Sequence, residues 1–226
     1  MSDRREAKRA AGVAAVDRIE AGTVVGLGSG STAAEAIAAL GERVADGLTV
    51  EGVPTSWQAR RRAREAGVPL TDLEADTVDI AIDGADQVAP GALLKGGGGA
   101  HVREKIVDTD ADRLLVVVDD SKLCDAIDRP VPLAVVPEAR RPVADAIEAL
   151  GGHAETRMAD RRDGPVLTDE GAIVLDADLG TIDAPADLAT ELSAIPGVVG
   201  HGLFVDQADA VVVGRADGSV AVRERT

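Results

Sequence analysis

The chain has 226 residues, and 24 Lys and Arg against 40 Asp and Glu give it a formal net charge of −16. Such an acidic chain lacks the basic surface that nucleic-acid binding requires, and 45% hydrophobic residues exclude the composition of a disordered protein. The length suits one large domain or two small ones.

The acidic residues and the single cysteine indicate the setting in which the protein works. Strongly hydrated carboxylates keep a protein soluble at high salt, so we expect a halophilic surface, with folding and activity improved by molar KCl. An ordinary acidic protein is the alternative. Cys124 has no second cysteine with which to form an internal disulfide. The sequence contains no run of about 18 apolar residues, so it predicts no membrane span. We therefore predict a cytoplasmic protein with no membrane or nucleic-acid partner.

In the first part of the chain, helical and strand patterns alternate. The predicted elements are a helix over 6–19, a strand over 23–27, a helix from Ser31 to about Leu40, a strand over 48–53, a helix over 56–66, and strands over 78–82 and 114–118. This alternation is typical of a parallel sheet with helices on both faces, where ligands bind at the carboxyl ends of the strands. We predict an α/β fold with a Rossmann-like sheet.

A second pattern begins near residue 129, where prolines surround a Val-rich strand. The predicted elements are a helix over 141–150, strands over 153–157, 166–168 and 172–176, and a helix over 185–194. We predict a small α+β domain over 129–200 that interrupts a catalytic domain formed by 1–128 and 201–226. The strands over 202–205 and 210–213 are expected to return to the first sheet.

A glycine loop joins the first strand to the second helix and reads Gly-Leu-Gly-Ser-Gly-Ser-Thr over 26–32. Such a turn directs backbone N–H groups and hydroxyls at an anion, and the helix dipole favours negative charge. This predicts a phosphate site formed by four residues, Ser29, Gly30, Ser31 and Thr32. The dinucleotide fingerprint is excluded because its third glycine is missing, and the P-loop is excluded because no lysine follows the glycines. The alternative is a tight turn that uses glycine for its geometry alone.

Asp83, Gly84, Ala85 and Asp86 directly follow a predicted strand. Two carboxylates at this edge of a sheet can bind Mg²⁺ or accept hydrogen bonds from sugar hydroxyls. The alternative is an Asx turn followed by a solvated acid.

Lys95 precedes four consecutive glycines, and Glu104 lies shortly after them. The glycines leave the main chain open to a small ligand. The compact ammonium of Lys95 suits the stabilisation of an oxyanion, and the carboxylate of Glu104 can carry a proton. The alternatives are a solvated lysine and a surface acid paired with Arg103 or Lys105. We expect His101 to cover the loop rather than to catalyse.

Lys122 ends a further charged loop, Asp-Asp-Ser-Lys, after the strand over 114–118. It can reach a phosphate or sugar oxygen, or it can be an exposed residue behind an N-cap at Ser121. We interpret Cys124 as a small buried residue.

Taken in order, five motifs resemble the ribose-5-phosphate isomerase type A family. They are Gly-Ser-Gly-Ser-Thr at 28–32, Asp-Gly-Ala-Asp at 83–86, Lys-Gly-Gly-Gly at 95–98, Arg-Glu-Lys at 103–105 and Asp-Ser-Lys at 120–122. The segments at 195–199 and 202–204 also resemble the closing segment of that family, so the likeness covers nearly the whole chain. The chain departs from the pattern at Gly200-His201, where the family pattern leads us to expect an acidic residue.

The resemblance implies a cofactor-independent enzyme that interconverts D-ribose 5-phosphate and D-ribulose 5-phosphate through an enediolate, in the non-oxidative pentose phosphate pathway. By similarity, Glu104 is the base, Lys95 the oxyanion partner, and Asp83 and Asp86 hold sugar hydroxyls and assist ring opening. The implied substrate-binding residues are Lys8, Ser29, Gly30, Ser31, Thr32, Asp83, Gly84, Ala85, Asp86, Lys95, Gly96, Gly97, Gly98 and Lys122. The resemblance also implies a homodimer or homotetramer, with no cofactor and no metal.

Two other classes of function use a similar fold. One is a non-catalytic sugar-phosphate sensor, which would carry a DNA-binding segment, and the acidic chain argues against it. The other is an amino-sugar phosphate deaminase or a CoA transferase. Ammonia release from glucosamine 6-phosphate or a covalent glutamyl-CoA intermediate would identify these enzymes.

Overall fold

The computed structural model describes residues 2–161 and 163–225. The chain forms two compact units, the first made of Met1–Ala85, Arg103–Lys122 and Gln207–Thr226, and the second of Asp86–Val102 and Leu123–Asp206. The units differ from the predicted domains in residues 86–102, 123–128 and 201–206, which group with the second unit. The domain boundaries at 128 and 201 stay a prediction.

Helices and strands alternate through the first part of the chain, and strands dominate the rest. The elements are α1 (Ser2–Val16), β1 (Thr23–Leu27), α2 (Gly30–Ala45), β2 (Val50–Pro54), α3 (Trp57–Glu65), β3 (Ile80–Asp83), β4 (Gln87–Ala89), β5 (Ala92–Leu94), α4 (His101–Asp110), β6 (Arg113–Asp119), β7 (Val131–Val135), α5 (Arg140–Ala149), β8 (His153–Thr156), β9 (Ile173–Asp178), α6 (Pro185–Ala194), β10 (Val198–His201), β11 (Leu203–Val205), β12 (Ala210–Gly214) and β13 (Val220–Glu224). None of the helices in the described ranges is long and apolar enough to cross a membrane.

The first unit is built on a six-stranded sheet with the order β13-β12-β6-β3-β1-β2. All neighbouring pairs are parallel except β12 and β13. The α/β class with a largely parallel sheet is therefore confirmed. The antiparallel edge strand β13 was not predicted, because it is short and mostly exposed and lacks a continuous apolar run.

Helices pack on both faces of this sheet. Alternate side chains of the central strands, such as Leu27, Ile82 and Val117, share one apolar cluster with buried alanines of α1, α2 and α3. Gly26 faces the other way, where a Cβ atom would lie 2.9 Å from the Cγ1 atom of Val107 on α4. Because alternate residues of a strand point to opposite faces of the sheet, α4 packs on the face opposite to the apolar cluster. The small Gly26 allows Val107 of α4 to approach β1 closely.

The second unit contains a four-stranded antiparallel sheet, β10-β7-β9-β8, and a three-stranded sheet, β11-β5-β4. The prediction that 202–205 returns to the first sheet is wrong, because β11 pairs with β5, with Leu203 opposite Leu94. Only 210–213 returns, as β12. The predicted strand over 166–168 is also wrong, since it is reduced to an isolated bridge between Leu167 and Ile173.

Candidate functional site

The first glycine loop follows β1 and is anchored by the ends of the two strands that flank it. The Ser29 amide donates to Oδ1 of Asp83 at 3.0 Å. The Ser29 hydroxyl donates to Oγ of Ser56 at 2.6 Å and lies 2.9 Å from Oγ1 of Thr55. Because the hydrogen of Ser29 is directed to Ser56, Thr55 is the donor in the second contact. The loop is therefore held in place by the residues that follow β2 and end β3.

The start of α3 contributes to the same anchor. The amide of Gly30, a residue with φ of +91°, donates to Oε1 of Gln58 at 3.3 Å. Ser56 also caps α3, because its hydroxyl accepts from the Ala59 amide at 3.0 Å. Sequence reasoning missed Thr55, Ser56 and Gln58. The signal that could have found them is the polar run that follows β2, which is the neighbour of β1 in the sheet.

Two buried carboxylates mark the rest of the first unit's candidate site. Asp83 is 1% exposed, and its Oδ1 atom also accepts from the Gly84 amide at 2.6 Å. Glu104 is 6% exposed in the first turn of α4. The alternative reading of Glu104 as a surface acid is wrong. The acidic motif is divided between the units, since Gly84 and Ala85 belong to the first and Asp86 to the second.

Lys8 on α1 lies beside the first glycine loop. Its Nζ atom donates to Oγ of Ser31 at 2.9 Å, whereas Thr32 is buried in the first turn of α2. Lys8 and Ser31 line a cavity of about 650 Å³ whose wall also includes Ser121. The half-buried Lys122 ends the short 3-10 turn after β6, and it is not among the described residues that line this cavity. The structure thus brings an ammonium to the predicted phosphate loop.

Lys95 is buried in the second unit, with 2% of its surface exposed. Its backbone amide donates to the carbonyl of Gly202 at 2.8 Å, and its Nζ atom lies 5.1 Å from the centre of the Phe204 ring. The ring face attracts the cation and helps to fix the side chain. The alternative of a solvated lysine is wrong. Sequence reasoning assigned Phe204 no function beyond its place in the closing segment.

The second glycine loop continues from Lys95. Its Gly97 amide donates to Oδ2 of Asp86 at 2.8 Å, so Asp86 holds this loop in place. Gly96 has a φ of +100°, and a Cβ atom there would lie 2.8 Å from Nδ1 of His101. The expectation that His101 covers this loop is confirmed. Gly97 and Gly98 are exposed, which leaves their main chain open to a small ligand.

Comparison with known proteins gives the same family throughout the chain. The family described as ribose 5-phosphate isomerase A (phosphoriboisomerase A) matches residues 51–218. Ribose-5-phosphate isomerase A of Halobacterium salinarum is 59% identical over 220 residues, which cover 97% of this chain and 96% of that protein. The Haloarcula marismortui protein of the same name is 58% identical over 217 residues, which cover 96% of this chain and 95% of that protein.

The solved structure of ribose 5-phosphate isomerase A from Methanocaldococcus jannaschii is similar to this chain with a TM-score of 0.93 and 42% identity, covering 96% of this chain and 98% of that one. This chain belongs to the ribose-5-phosphate isomerase A family. Another structure of D-ribose-5-phosphate isomerase, in complex with phospho-erythronic acid, has a TM-score of 0.93 and 42% identity, covering 96% of this chain and 97% of that one. The halophilic interpretation of the acidic composition agrees with the halophilic archaeal relatives.

At Gly200-His201, where the sequence predicts a departure from the isomerase pattern, the structure buries a histidine. The Leu203 amide donates to Nδ1 of His201 at 3.3 Å, so Nε2 carries the proton in the neutral ring and lies 3.0 Å from the Ser193 hydroxyl. His201 is 5% exposed. His201 therefore forms a polar link between Ser193 on α6 and the backbone at the start of β11.

Two further groups have perturbed pKa values. Burial lowers the pKa of Lys105, the neighbour of Glu104 on α4, to about 8. Burial, followed by the charge of Asp128, raises the pKa of Cys124. Cys124 is half-buried rather than buried as predicted, because it packs against the outside of the second unit's apolar cluster. Among the described residues, no group of three or more His, Cys, Asp or Glu side chains is arranged to hold a metal ion.

Proposed function

We propose that this chain interconverts D-ribose 5-phosphate and D-ribulose 5-phosphate as a cofactor-independent aldose-ketose isomerase. The observation that carries the proposal is the 59% identity over 97% of the chain to a protein named ribose-5-phosphate isomerase A. The residue types at the candidate site support it. The reaction needs a carboxylate base and a cation for a developing oxyanion, and the chain buries Glu104 and Lys95.

The proposed reaction moves one proton between neighbouring carbons. Glu104 takes the proton from C2 of the open-chain aldose, and the electron pair of that C–H bond forms the C1=C2 bond of the enediolate. The C1 carbonyl electrons move to its oxygen, where Lys95 stabilises the negative charge. Glu104 then returns the proton to C1 while the C2 hydroxyl loses its proton to the C1 oxygen, which leaves a ketone at C2. Atoms and charge balance without a cofactor.

We assign the remaining residues to substrate binding. Asp83 and Asp86 hold sugar hydroxyls and assist ring opening, and the main chain of Gly84, Ala85 and 96–98 approaches the sugar. The phosphate is assigned to residues 29–32 with Lys8 and Lys122. The contact between Lys8 and Ser31 supports this assignment, because an ammonium and a helix N-terminus both favour an anion.

The decisive experiment compares the native protein with Glu104→Gln in molar KCl. We expect the native protein to convert ribose 5-phosphate to ribulose 5-phosphate and the variant to lose activity by about 100-fold or more, because the amide keeps the shape and removes the base. Asp108→Asn is the matched control, since Asp108 is a buried acid one turn further along α4. Its activity is expected to stay within about threefold of the native value.

Other outcomes point elsewhere. A folded native protein that binds the sugar phosphate without turnover would favour the sensor. Ammonia release from glucosamine 6-phosphate would favour the deaminase, and a glutamyl-CoA adduct the transferase. Equal losses in Glu104→Gln and Asp108→Asn would remove the assignment of Glu104 as the base.

We further propose a cytoplasmic homodimer or homotetramer that acts on a small sugar phosphate rather than on nucleic acid or a membrane. The net charge of −16 and the single cysteine support this setting. Large exposed apolar side chains support self-association, among them Trp57 at 66%, Met158 at 60% and Ile106 at 53% exposure.

A further inference from the structure

Arg157, which directly follows β8, contacts the second glycine loop. Its Nη1 atom donates to the carbonyl of Gly96 at 2.9 Å and to the carbonyl of Gly97 at 3.1 Å. Its Nε atom donates to Oδ2 of Asp176 at 2.8 Å, and Nη2 donates to Oδ1 of the same carboxylate. One guanidinium therefore joins Asp176 on β9 to two carbonyls of the loop.

The geometry of this contact uses what distinguishes arginine from lysine. The planar fork of Nε and Nη2 matches the two carboxylate oxygens, which leaves Nη1 directed at the glycines. The side chains of Arg157 and Asp176 are only 19% and 30% exposed, so salt screens the pair less than it screens a surface ion pair. The backbone of Arg157 is itself fixed, because its amide donates to Val174 and its carbonyl accepts from Val166.

The loop needs such an anchor because it consists of four consecutive glycines. Glycine loses more conformational freedom on ordering than any other residue, and Gly96 and Gly99 have φ values of +100° and +73°. Of the peptide unit between Gly96 and Gly97, the carbonyl is held by Arg157 and the N–H donates to Asp86. A positive charge on the carbonyl side polarises the peptide and strengthens its N–H as a donor.

We propose that Arg157, oriented by Asp176, is a positioning residue that fixes the Gly96–Gly97 peptide and through it the carboxylate of Asp86. Arg157 acts through the loop, and Asp176 acts through Arg157. The catalytic consequence rests on the proposed isomerase function, in which Asp86 and the loop hold the sugar. The structural consequence, an ordered Gly97 amide, does not depend on that function.

The first measurement is hydrogen exchange of the segment that contains the Gly97 amide, in the full-length protein in molar KCl. Arg157→Gln is expected to speed this exchange by about tenfold or more, because the peptide loses its carbonyl anchor. The matched control is Arg141→Gln, which breaks the exposed pair of Arg141 and Asp145 in the same unit, with side chains 76% and 57% exposed. Unchanged exchange in Arg157→Gln overturns the proposal, whether or not the protein is an isomerase.

The second measurement is isomerase kinetics. Arg157→Gln is expected to lower kcat by about 10- to 100-fold, because the loop and Asp86 no longer position the sugar correctly. The inhibition constant of inorganic phosphate is expected to stay within about twofold of the native value. Arg157→Lys is expected to recover part of the loss, and Arg157→Gln/Asp176→Asn to be no worse than Arg157→Gln, because Asp176 acts through Arg157. Arg141→Gln is expected to keep the native activity.

The outcomes separate the two proposals. An inactive native protein overturns the isomerase function, and hydrogen exchange still decides the anchor. An active native protein with unchanged kcat and KM in Arg157→Gln overturns the positioning role. A loss of kcat with an equally weakened phosphate inhibition also overturns it, because that pattern describes general damage to the fold.

Discussion

The two glycine loops each join a strand to a helix, but they have different anchors. The first, over 28–32, is held by neutral hydroxyls and an amide, from Thr55, Ser56 and Gln58, together with Asp83. The second, over 96–99, is held by the ion pair of Arg157 and Asp176 and by Asp86, and the Gly202 carbonyl holds the amide of Lys95 just before it. Glycine content alone therefore does not determine how a ligand loop is fixed.

The anchors differ because the two loops follow strands of different sheets. In a parallel sheet the carboxyl ends of neighbouring strands share one edge, so short polar side chains after β1, β2 and β3 reach one another. The second loop follows the three-stranded antiparallel sheet of the other unit, where neighbouring strands end at opposite edges. Besides Asp86, the long side chain of Arg157 reaches this loop from a distant segment, which is a task that suits arginine.

The largest effect on stability is expected from a glycine substitution in the first loop, which tests how tightly each loop is packed. A Cβ atom at Gly28 would overlap the carboxylate of Asp83, whereas one at Gly98 has nothing within 4 Å and no unusual φ. Overpacking costs about 1–3 kcal/mol, so Gly28→Ala is expected to lower Tm by several degrees in calorimetry. Gly98→Ala is expected to leave Tm nearly unchanged, and equal shifts in the two variants would contradict the comparison.

A smaller effect is expected from the hydroxyl anchor of the first loop. Thr55→Val removes the donor to Ser29 at nearly constant volume, and the loss of one hydrogen bond costs about 1 kcal/mol. KM for ribose 5-phosphate and the inhibition constant of inorganic phosphate are therefore expected to rise about fivefold, with a smaller change in kcat.

Thr55→Ser is the control, because it keeps the hydroxyl and should restore phosphate binding. The pattern is the reverse of the one expected for Arg157→Gln, which changes kcat and leaves phosphate inhibition intact. If Thr55→Val and Arg157→Gln alter the same kinetic constant, the two loops do not have separate roles.

Sequence patterns predicted most of the first unit. Apolar runs located β1, β3 and β6, and the residues that follow them, such as Ser29 and Asp83, could be assigned because parallel strands share an edge. The Gly-Ser-Gly-Ser-Thr loop lies at the start of α2, where the sequence predicts it. Local chemistry was sufficient there because each signal lies within a few residues of a strand end.

The second unit was less predictable for a physical reason. β11 pairs with β5 across more than 100 residues, and Arg157 lies about 60 residues from the loop that it anchors. Antiparallel pairing over such separations has no local signature, and an arginine beside a strand usually remains solvated. The burial of Lys95 against Phe204 likewise depends on that pairing, so the residues near Lys95 in the sequence do not predict it.

The smallest expected effect is on the pH dependence of stability, to which one side chain in each unit contributes with opposite sign. The pKa of Lys105, in the first unit, is lowered by burial to about 8 from an ordinary value of 10.5. Between these values the unfolded chain binds more protons than the folded one, so Lys105 makes stability rise with pH. The pKa of Cys124, in the second unit, is raised above 9.0, so above that pH the unfolded chain loses more protons and stability falls.

Calorimetry at pH 7.5 and pH 10 on the native protein, Lys105→Met and Cys124→Ala separates these contributions. Lys105→Met removes a buried charge, so its Tm relative to the native protein is expected to be higher at the lower pH, and the advantage should shrink by a few degrees or less at the higher pH. Cys124→Ala is expected to move the other way and gain on the native protein as pH rises. Parallel trends in both variants would show that net charge, rather than these two groups, controls the alkaline response.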